Sequence, residues 1–518
     1  MRTTESAGVA GRGRVLTALV ATMALTAMDT TIVATTVPQV VADLGGFSLF
    51  SWVFSSYLLA QTVTIPIYGK LADSYGRKPV LLAGSGIFLL GSLLCAISPN
   101  MVSLIIFRAI QGIGAGGAQA TISTVASDLY SIAERGRVQA WLSSVWGISA
   151  VVAPMLGGAF AEYVSWRWIF LVNLPIGAVA LFLLVRYLHE DVPNTRRKVD
   201  YLGASLVLLA AGLLLLGLLQ GGTGWAWSSP MSIGVFVAAG VFGLLAVFVE
   251  RRAAEPILPP WLFQRRVIAG SCLAMLGMGV LVIGPTSFLP TYGQSLLGLG
   301  PIEAGLVLAS MSITWPLASA VSARLYLRIG FRNTALVGAL LCALGGGTLF
   351  TLPDPGSVVQ CVLAAAVLGA GFGLITAALM VGVQAGLGWS QRGVATGAVQ
   401  FSRFLGSALG AAVYGAVSNT TMANRLAEAP DRLAGQLPGD VNGVSEALGE
   451  GELAGQSAEY LRHTLYSGMH NVFLVLLIVG VLIVAILLFL TPRRFPVLDE
   501  QVVDRSAGSA ADAPARSD

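Results

Sequence analysis

Charged residues are scarce in this sequence. Asp, Glu, Lys and Arg make up 11% of the 518 residues, whereas soluble proteins are typically about 25% charged. Hydrophobic residues account for 55% and the mean hydropathy is +0.78. A chain with so little charge cannot cover a water-facing surface, so the composition predicts an integral membrane protein.

Cysteine and histidine are also scarce. The four cysteines lie far apart without CxxC spacing, and the three histidines lie outside or at the edge of the apolar runs. Nothing therefore indicates a zinc site, a disulfide framework or a His-based metal centre. The sequence also lacks a nucleophile–base set, a G-x-x-x-x-G-K-[ST] phosphate loop and a basic run with interleaved aromatics. We expect no enzyme, no ATP-driven pump, no metal, no cofactor and no nucleic-acid partner.

Long apolar runs are abundant. A helix needs about 20 apolar residues to cross the ~30 Å hydrocarbon core of a membrane. Fourteen runs come near this length, at 15–37, 49–69, 79–97, 101–128, 138–161, 166–188, 201–221, 231–249, 267–292, 302–325, 333–352, 357–383, 395–418 and 469–491. The sequence therefore predicts fourteen membrane-spanning helices with both termini on one side.

The distribution of basic residues orients these spans. With the N-terminus in the cytoplasm, 24 of the 30 Lys and Arg residues fall on the cytoplasmic side. Cytoplasmic loops are enriched in Lys and Arg, and deletion of one span would invert every later loop and remove the asymmetry. We therefore expect a multi-pass protein of the plasma membrane with both termini in the cytoplasm.

A weak internal repeat suggests two halves. The segment after the second span ends in Gly76-Arg77-Lys78, and the segment after the tenth ends in Gly330-Phe331-Arg332. Parallel six-helix repeats occur in transporters that bind substrate between the halves. We predict an all-α fold of two six-helix bundles with two inserted helices. The boundaries are a cytoplasmic N-terminus at 1–14, a first bundle at 15–190, inserted helices 7 and 8 at 191–256, a second bundle at 257–491 with an external loop at 419–468, and a disordered cytoplasmic tail at 492–518.

Two ionisable residues lie at similar depth in the outer half of the membrane. Asp29 is about 21 Å from the cytoplasmic end of the first span, and Arg108 is roughly 10 Å below the outer end of the fourth. Charges in the membrane are costly and usually mark function. A carboxylate between apolar surroundings and an arginine can be poised to exchange a proton, so Asp29 is the candidate for proton coupling. The alternative is a static pair that only fixes helix packing.

A third ionisable residue and a stripe of small residues complete the candidates. Arg403 in the thirteenth span could meet an anionic substrate or carboxylate in the same cavity, or it could reach the inner headgroups as a snorkelling side chain. The fifth span carries Gly147, Pro154, Gly157 and Gly158. Small residues allow close packing and proline frees a backbone carbonyl, so this helix could hinge or slide against a neighbour.

These residues resemble the motifs of a known family. The loop signature G-x-L-a-D-r-x-G-r-k-x-x-l of the major facilitator superfamily is similar to the segment with Gly69, Leu71, Ala72, Asp73, Gly76, Arg77, Lys78 and Leu81. The helix-1 motif of its fourteen-span drug:proton antiporters resembles the stretch around Asp29, followed by Pro38. The helix-4 motif thought to serve proton coupling resembles Arg108, Gln111, Gly112 and Gly114.

The fifth span resembles the antiporter motif G-x-x-x-G-P-x-x-G-G of exporters, with Ser149 and Ala153 in place of its first two glycines. The resemblance implies a proton-coupled antiporter that exports small amphipathic or cationic compounds. It also implies that Asp73 and Arg77 make charge contacts holding an inner gate closed.

We expect a monomer in contact with membrane lipid, whose other partners are a small-molecule substrate and protons. The alternatives are a dedicated exporter of a single metabolite, such as a natural product, a siderophore or an amino acid, and a lipid flippase or scaffold.

Overall fold

The computed structural model describes residues 3–45, 49–190, 200–222, 224–253, 255–354, 356–430, 433, 437–438 and 455–497. Within these residues all regular structure is helical, apart from one isolated bridge between Gly221 and Trp225. The long helices are α1 (Thr3–Ile32), α2 (Phe50–Tyr75), α3 (Arg77–Ala96), α4 (Met101–Leu129), α5 (Ile132–Tyr163), α6 (Asn173–Tyr187), α7 (Tyr201–Gln220), α8 (Pro230–Glu250), α9 (Arg266–Ser295), α10 (Pro301–Ile329), α11 (Phe331–Phe350), α12 (Val358–Ala385), α13 (Trp389–Ala427) and α14 (Gln456–Ala485).

Short helical segments adjoin these helices. They are a 3₁₀ turn at Val33–Thr36, single short helices at Val37–Leu44, Trp168–Leu171 and Trp261–Gln264, and a π-helical turn at Ile486–Leu490.

A long helix overlaps each of the predicted spans. In the described part of the chain, 11 helices are long and apolar enough to cross a membrane. The three others, α2, α5 and α13, bury polar residues inside the bundle, such as Gln61, Ser149 and Gln400. The membrane-spanning, all-helical class is as predicted, and the count of fourteen crossings stays a prediction.

The first predicted span ends earlier in the structure than expected. The run 15–37 was expected to be one helix, whereas α1 ends at Ile32 and a new helix begins at Val37 with Pro38 in its first turn. Proline has no amide to donate to the carbonyl four residues earlier and disfavours helical backbone at the residue before it. Helix α1 therefore ends before Pro38, and the next helix begins with this proline in its first turn.

Helices extend into both ends of the predicted external loop 419–468. Helix α13 continues to Ala427 and α14 begins at Gln456. The extensions pack on each other, since Tyr460 Oη donates to the carbonyl of Arg425 at 2.5 Å. A helix can continue past the membrane without being apolar, so hydropathy alone underestimates its length. Residues 431–432, 434–436 and 439–454 lie outside the described residues.

The start of the predicted disordered tail is also ordered. Phe495 is 8% exposed and its ring centroid lies 5.8 Å from that of Phe331 at the start of α11. Hydrophobic contact therefore fixes 492–497 on the last six helices, and residues 498–518 lie outside the described residues.

The first six and the last six long helices pack in the same pattern. In the first six, α1 contacts α5 and α6, α2 contacts α4, and α3 contacts α4 and α6. In the last six, α9 contacts α13 and α14, α10 contacts α12, and α11 contacts α12 and α14. The two sets meet reciprocally, α2 against α13 and α5 against α10, while α7 pairs with α8 and touches α2 and α13.

The internal repeat recurs in the backbone. Gly76 ends α2 and starts α3 with φ 97° and ψ 158°, and Gly330 ends α10 and starts α11 with φ 84° and ψ 161°. Two residues further on, Lys78 Nζ donates to the carbonyl of Val185 at 3.0 Å and Arg332 Nε donates to that of Leu487 at 2.7 Å. In each set a basic side chain therefore caps carbonyls at the end of the sixth helix.

Substitution of Gly330 should destabilise the protein through the backbone alone. No heavy atom lies within 4 Å of an added Cβ, so the cost of Gly330→Ala is the strain of its glycine-type conformation, about 1–3 kcal/mol. Thermal unfolding in detergent should show a lower midpoint. Gly305→Ala is the matched control, because that α10 position is helical and equally open. Equal midpoints for both variants would contradict this explanation.

Candidate functional site

Asp29, Arg108 and Gln111 form one buried cluster. All three side chains have no exposed surface. The Asp29 carboxylate accepts a hydrogen bond from Arg108 Nη1 at one oxygen and one from Gln111 Nε2 at the other, the latter 2.8 Å long. Arg108 Nη1 also donates to Gln111 Oε1 at 2.8 Å. Asp29 and Arg108, which were predicted to lie at similar depth, therefore form a direct ion pair between α1 and α4.

Polar groups on other helices support the cluster. Gln111 Nε2 also lies 3.3 Å from Ser92 Oγ, which accepts from Asn173 Nδ2 at 2.9 Å and donates to the carbonyl of Phe170. The guanidinium of Arg108 lies 4.1 Å from the centroid of the Tyr57 ring, a cation–π contact. Sequence reasoning missed Ser92 and Tyr57, because a serine or tyrosine in an apolar run carries no signal of its own.

Glycines let the helices approach closely enough for these bonds. A Cβ added at Gly91 of α3 would lie 2.6 Å from Gln111 Cα, and Gly112 and Gly114 of α4 meet Tyr57 and Phe88 directly. The glycine tract of α4 therefore packs closely, and a larger residue at these positions would separate the carboxylate from its partners.

The charges of the cluster balance each other. With Asp29 charged, the pair is neutral overall, and both carboxylate oxygens are occupied by donors. Loss of the carboxylate charge would leave Arg108 without its counter-ion at a site with no exposed surface, which is costly. The buried charge of Arg108 therefore depends on Asp29.

A second charged cluster joins the two helix sets at the end predicted to face the cytoplasm. Asp73, near the end of α2, accepts hydrogen bonds from the backbone amides of Gly393 at 2.9 Å and Val394 at 2.8 Å, in the first turns of α13. It also accepts one from Arg77 Nη2 at 3.0 Å. Two backbone amides and a guanidinium therefore hold the Asp73 carboxylate.

Arg77 extends this cluster, which we call the latch and define as Asp73, Arg77, Asp128 and Arg392. Arg77 Nε lies 3.0 Å from Asp128 Oδ2, and Arg392 Nη1 lies 3.0 Å from Asp128 Oδ1. The Arg77 guanidinium also lies 3.5 Å from the centroid of the Trp389 ring and donates to the Trp389 carbonyl. The latch therefore connects α2, α3 and α4 with α13.

Close backbone contact accompanies the latch. A Cβ added at Gly69 would lie 2.6 Å from the Gly393 carbonyl oxygen.

Burial raises the pKa of Asp73, which lies past the predicted span, to about 6, although Arg77 and the two amides act to lower it. Asp73 therefore depends on its partners to stay charged. The predicted loop residues Gly69, Asp73, Gly76, Arg77 and Lys78 all lie at this junction or cap the adjoining helix.

Small residues bring α5 and α10 together at the other junction. A Cβ added at Gly147 would lie 2.8 Å from the Ser312 carbonyl oxygen, whereas one at Gly158 would meet nothing within 4 Å. The small-residue stripe therefore contacts α10 at Gly147 and not at Gly158. Helix α5 runs through Pro154 and Gly157 without interruption.

Arg403 stands apart from both clusters. It lies on α13 with its guanidinium 4.6 Å from the ring centroid of the neighbouring Phe404. No hydrogen-bond acceptor or acidic partner contacts the guanidinium among the described residues. The structure therefore does not bring it together with Asp29, Arg108 and Gln111.

A bundle of membrane-length helices in two similarly packed sets, with a charged pair sealed in one set and a charged latch between them, defines a multi-span membrane transporter. The chain belongs to the Major Facilitator Superfamily, whose family model matches residues 19–411. This is the family that the motifs predicted, and it is a family of transporters that handle small molecules.

Relatives and solved structures agree with this assignment. The chain is 34% identical over 482 residues to Multidrug resistance protein 3 of Bacillus subtilis, covering 91% of this chain and 93% of that one. It is 32% identical to the multidrug transporter protein MdtP of the same organism, covering 84% and 81%. The solved proton:xylose symporter XylE has the same fold, with a TM-score of 0.63 at 14% identity over 96% of this chain and 99% of that one.

An added methyl group at the latch should open this end of the protein. In Gly393→Ala the new Cβ would lie 2.5 Å from the Gly69 carbonyl oxygen and 2.7 Å from Asp73 Oδ1. Overpacking of this kind costs about 1–3 kcal/mol, so the sealed arrangement should lose population. With Ser123→Cys as a reporter and Cys272→Ser as background, a water-soluble maleimide should label position 123 faster.

Gly388→Ala is the matched control for this experiment, because that position precedes α13 and has no heavy atom within 4 Å. Equal labelling rates for the two alanine variants would show that contact between Gly69 and Gly393 does not hold this end closed.

Proposed function

We propose that the protein is a proton-coupled antiporter that exports small amphipathic or cationic compounds across the plasma membrane by alternating access. The observation that carries the proposal is the Asp29–Arg108 pair, an ionisable carboxylate with no exposed surface deep in a predicted span. Charges at such depth are retained at a cost and usually serve transport. The relatives named as multidrug transporters favour export of varied small molecules.

The proposed topology has fourteen crossings, two six-helix halves, the inserted pair α7 and α8, and both termini in the cytoplasm. The excess of Lys and Arg on one side supports this orientation. The reciprocal contacts of α2 with α13 and of α5 with α10 support the two halves. In this orientation the latch lies at the cytoplasmic end, and we propose that it closes that end.

The proposed coupling uses the buried pair. A proton entering from the outer side neutralises Asp29 and frees Arg108 from its counter-ion, which favours a rearrangement of α1 and α4 that restores solvation or a new partner. The membrane potential contributes ~2.3 kcal/mol per charge per 100 mV to inward proton movement. No cofactor is required, because the proton gradient supplies the energy.

The proposed gate is the latch. Opening toward the cytoplasm has to separate Asp73 from the amides of α13 and Asp128 from Arg392. A few such contacts are enough to bias an equilibrium between two rigid arrangements of the halves. We propose a single chain as the working unit, in contact with lipid, substrate and protons.

Replacement of Asp29 tests the coupling. Asp29→Asn leaves Arg108 buried without a counter-ion, which costs about 3–5 kcal/mol, so the charge-free double variant Asp29→Asn with Arg108→Gln is measured beside it. In proteoliposomes both variants should lose the stimulation of efflux by an imposed pH gradient, while the double variant keeps substrate counterflow. Asp43→Asn, which removes the exposed partner of Arg167, should leave both activities unchanged.

The same variants separate coupling from a static pair. If the pair only fixes packing, removal of both charges is close to neutral for stability, and the double variant keeps its response to the pH gradient. That result would contradict the proposed role of Asp29.

A further inference from the structure

Arg403 carries a charge that nothing in the described residues balances. Its side chain is partly buried, its Nε has no hydrogen-bond partner, and its guanidinium contacts the face of the Phe404 ring. By contrast, the other arginine deep in a predicted span, Arg108, has Asp29 as its counter-ion. A cation held deep in a membrane protein is expected to have a partner or a ligand.

The depth of Arg403 excludes a snorkelling side chain. Its backbone carbonyl lies directly against Gly279 of α9, and Gly279 is at the middle of the predicted span 267–292. The headgroups are roughly 15 Å from the middle of a ~30 Å hydrocarbon core. This is further than an arginine side chain extends.

The side chain faces the other half of the protein. Thr396, Gln400 and Arg403 are spaced four and then three residues apart on α13, so they share one helix face. On that face Thr396 bonds to Gln384 Nε2 at 3.1 Å, and Gln384 also donates to the carbonyl of Ser123 on α4 at 3.2 Å. Arg403 therefore lies on the face between the halves, about 10 Å further from the sealed end than this contact.

A cavity on the opposite side of α13 does not involve this residue. It measures about 1080 Å³, lies between α7, α8 and α13, and is lined from α13 by Phe401 and Leu405. Arg403 is two positions from each, which places it on the opposite face. Its charge is therefore directed toward the interface between the halves and not toward the inserted pair.

A second polar side chain without partners lies near the same depth. Gln61 is buried with neither its amide nitrogen nor its amide oxygen bonded. An added Cβ at Gly397 would lie 3.2 Å from the Ile65 carbonyl. Gln61 is four residues outward from Ile65 and Arg403 six outward from Gly397, so their depths differ by about 3 Å.

We propose that Arg403 anchors an anionic group of the exported compound, so that the preferred substrates are amphipathic organic anions, carboxylates in particular. This rests on the proposed export function and narrows its substrate class. A guanidinium binds a carboxylate through two parallel charge-assisted hydrogen bonds, and the amide of Gln61 can bond a further polar atom. No acid is free to hold a cation at this depth among the described residues, because Arg108 and Gln111 occupy both oxygens of Asp29.

A set of matched probes tests the proposal. The probes share one naphthyl ring system and carry a carboxylate, its methyl ester or a quaternary ammonium group. Binding to the purified protein is measured in lipid nanodiscs by quenching of tryptophan fluorescence, without a proton gradient. The native protein should bind the carboxylate most tightly. Arg403→Gln should raise the Kd of the carboxylate about tenfold or more and leave that of the ester unchanged.

Two further variants make the result specific. Arg403→Lys keeps the charge but not the paired donors, so the Kd of the carboxylate should lie between those of the native protein and the glutamine variant. The Arg403→Lys variant also tests the proposal if the glutamine variant does not fold. Arg425→Gln makes the same change at an exposed position near the end of α13 and should alter no Kd.

The proposal is overturned if the quaternary ammonium probe binds the native protein most tightly, or if Arg403→Gln weakens all probes equally. It is also overturned if Arg403→Lys binds the carboxylate no better than the ester. Because binding is measured without a gradient, failure of the Asp29 variants to uncouple transport would leave these results standing. A lost carboxylate preference would likewise leave the coupling test unaffected.

Discussion

A charge buried away from water has to be balanced close by, and this requirement organises the first half of the protein. Asp29 and Arg108 satisfy it by direct contact, with Gln111 bonded to both. The contact fixes α1 against α4 and depends on glycines that let α3 and α4 approach the pair. Neither side chain reaches solvent, so the pair is shielded from water in this arrangement of the helices.

The first six and the last six long helices share their backbone arrangement but not their charged residues. Gly76 and Gly330 have nearly the same conformation, yet Leu327 and Phe331 follow the spacing of Asp73 and Arg77 in the second loop. The α2–α13 junction is consequently ionic, whereas at the α5–α10 junction Gly136 packs against Ala323 and the Tyr326 hydroxyl donates to the carbonyl of Ile132. An ionic junction separates at a cost that solvent can offset, which is consistent with the proposed gate.

The sequence predicted what depends on local pattern. Length and hydropathy located helices at every predicted span, and the cost of buried charge singled out Asp29 and Arg108. The loop signature pointed to Asp73 and Arg77, and their contacts lie at the junction between the helix sets. The family was predicted from these motifs, and the match over residues 19–411 confirms it.

The rest required tertiary information. In the sequence, Asp128 and Arg392 look like ordinary solvent-exposed charges. They pair only because α4 and α13 meet in the folded protein. The helical extensions around Arg425 and Tyr460 are too polar for hydropathy to detect, but they stabilise each other by packing. The direction of Arg403 depends on how α13 is rotated against α9, which the apolar pattern of one helix does not determine.

The protonation of Asp29 itself can be followed as the carboxylic-acid stretching band in infrared difference spectra of the purified protein, recorded with and without a transported compound. Substrate binding should change the intensity of a band that is absent in Asp29→Asn and retained in Asp43→Asn. A substrate-dependent band that persists in Asp29→Asn would contradict the view that the buried pair carries the coupled proton.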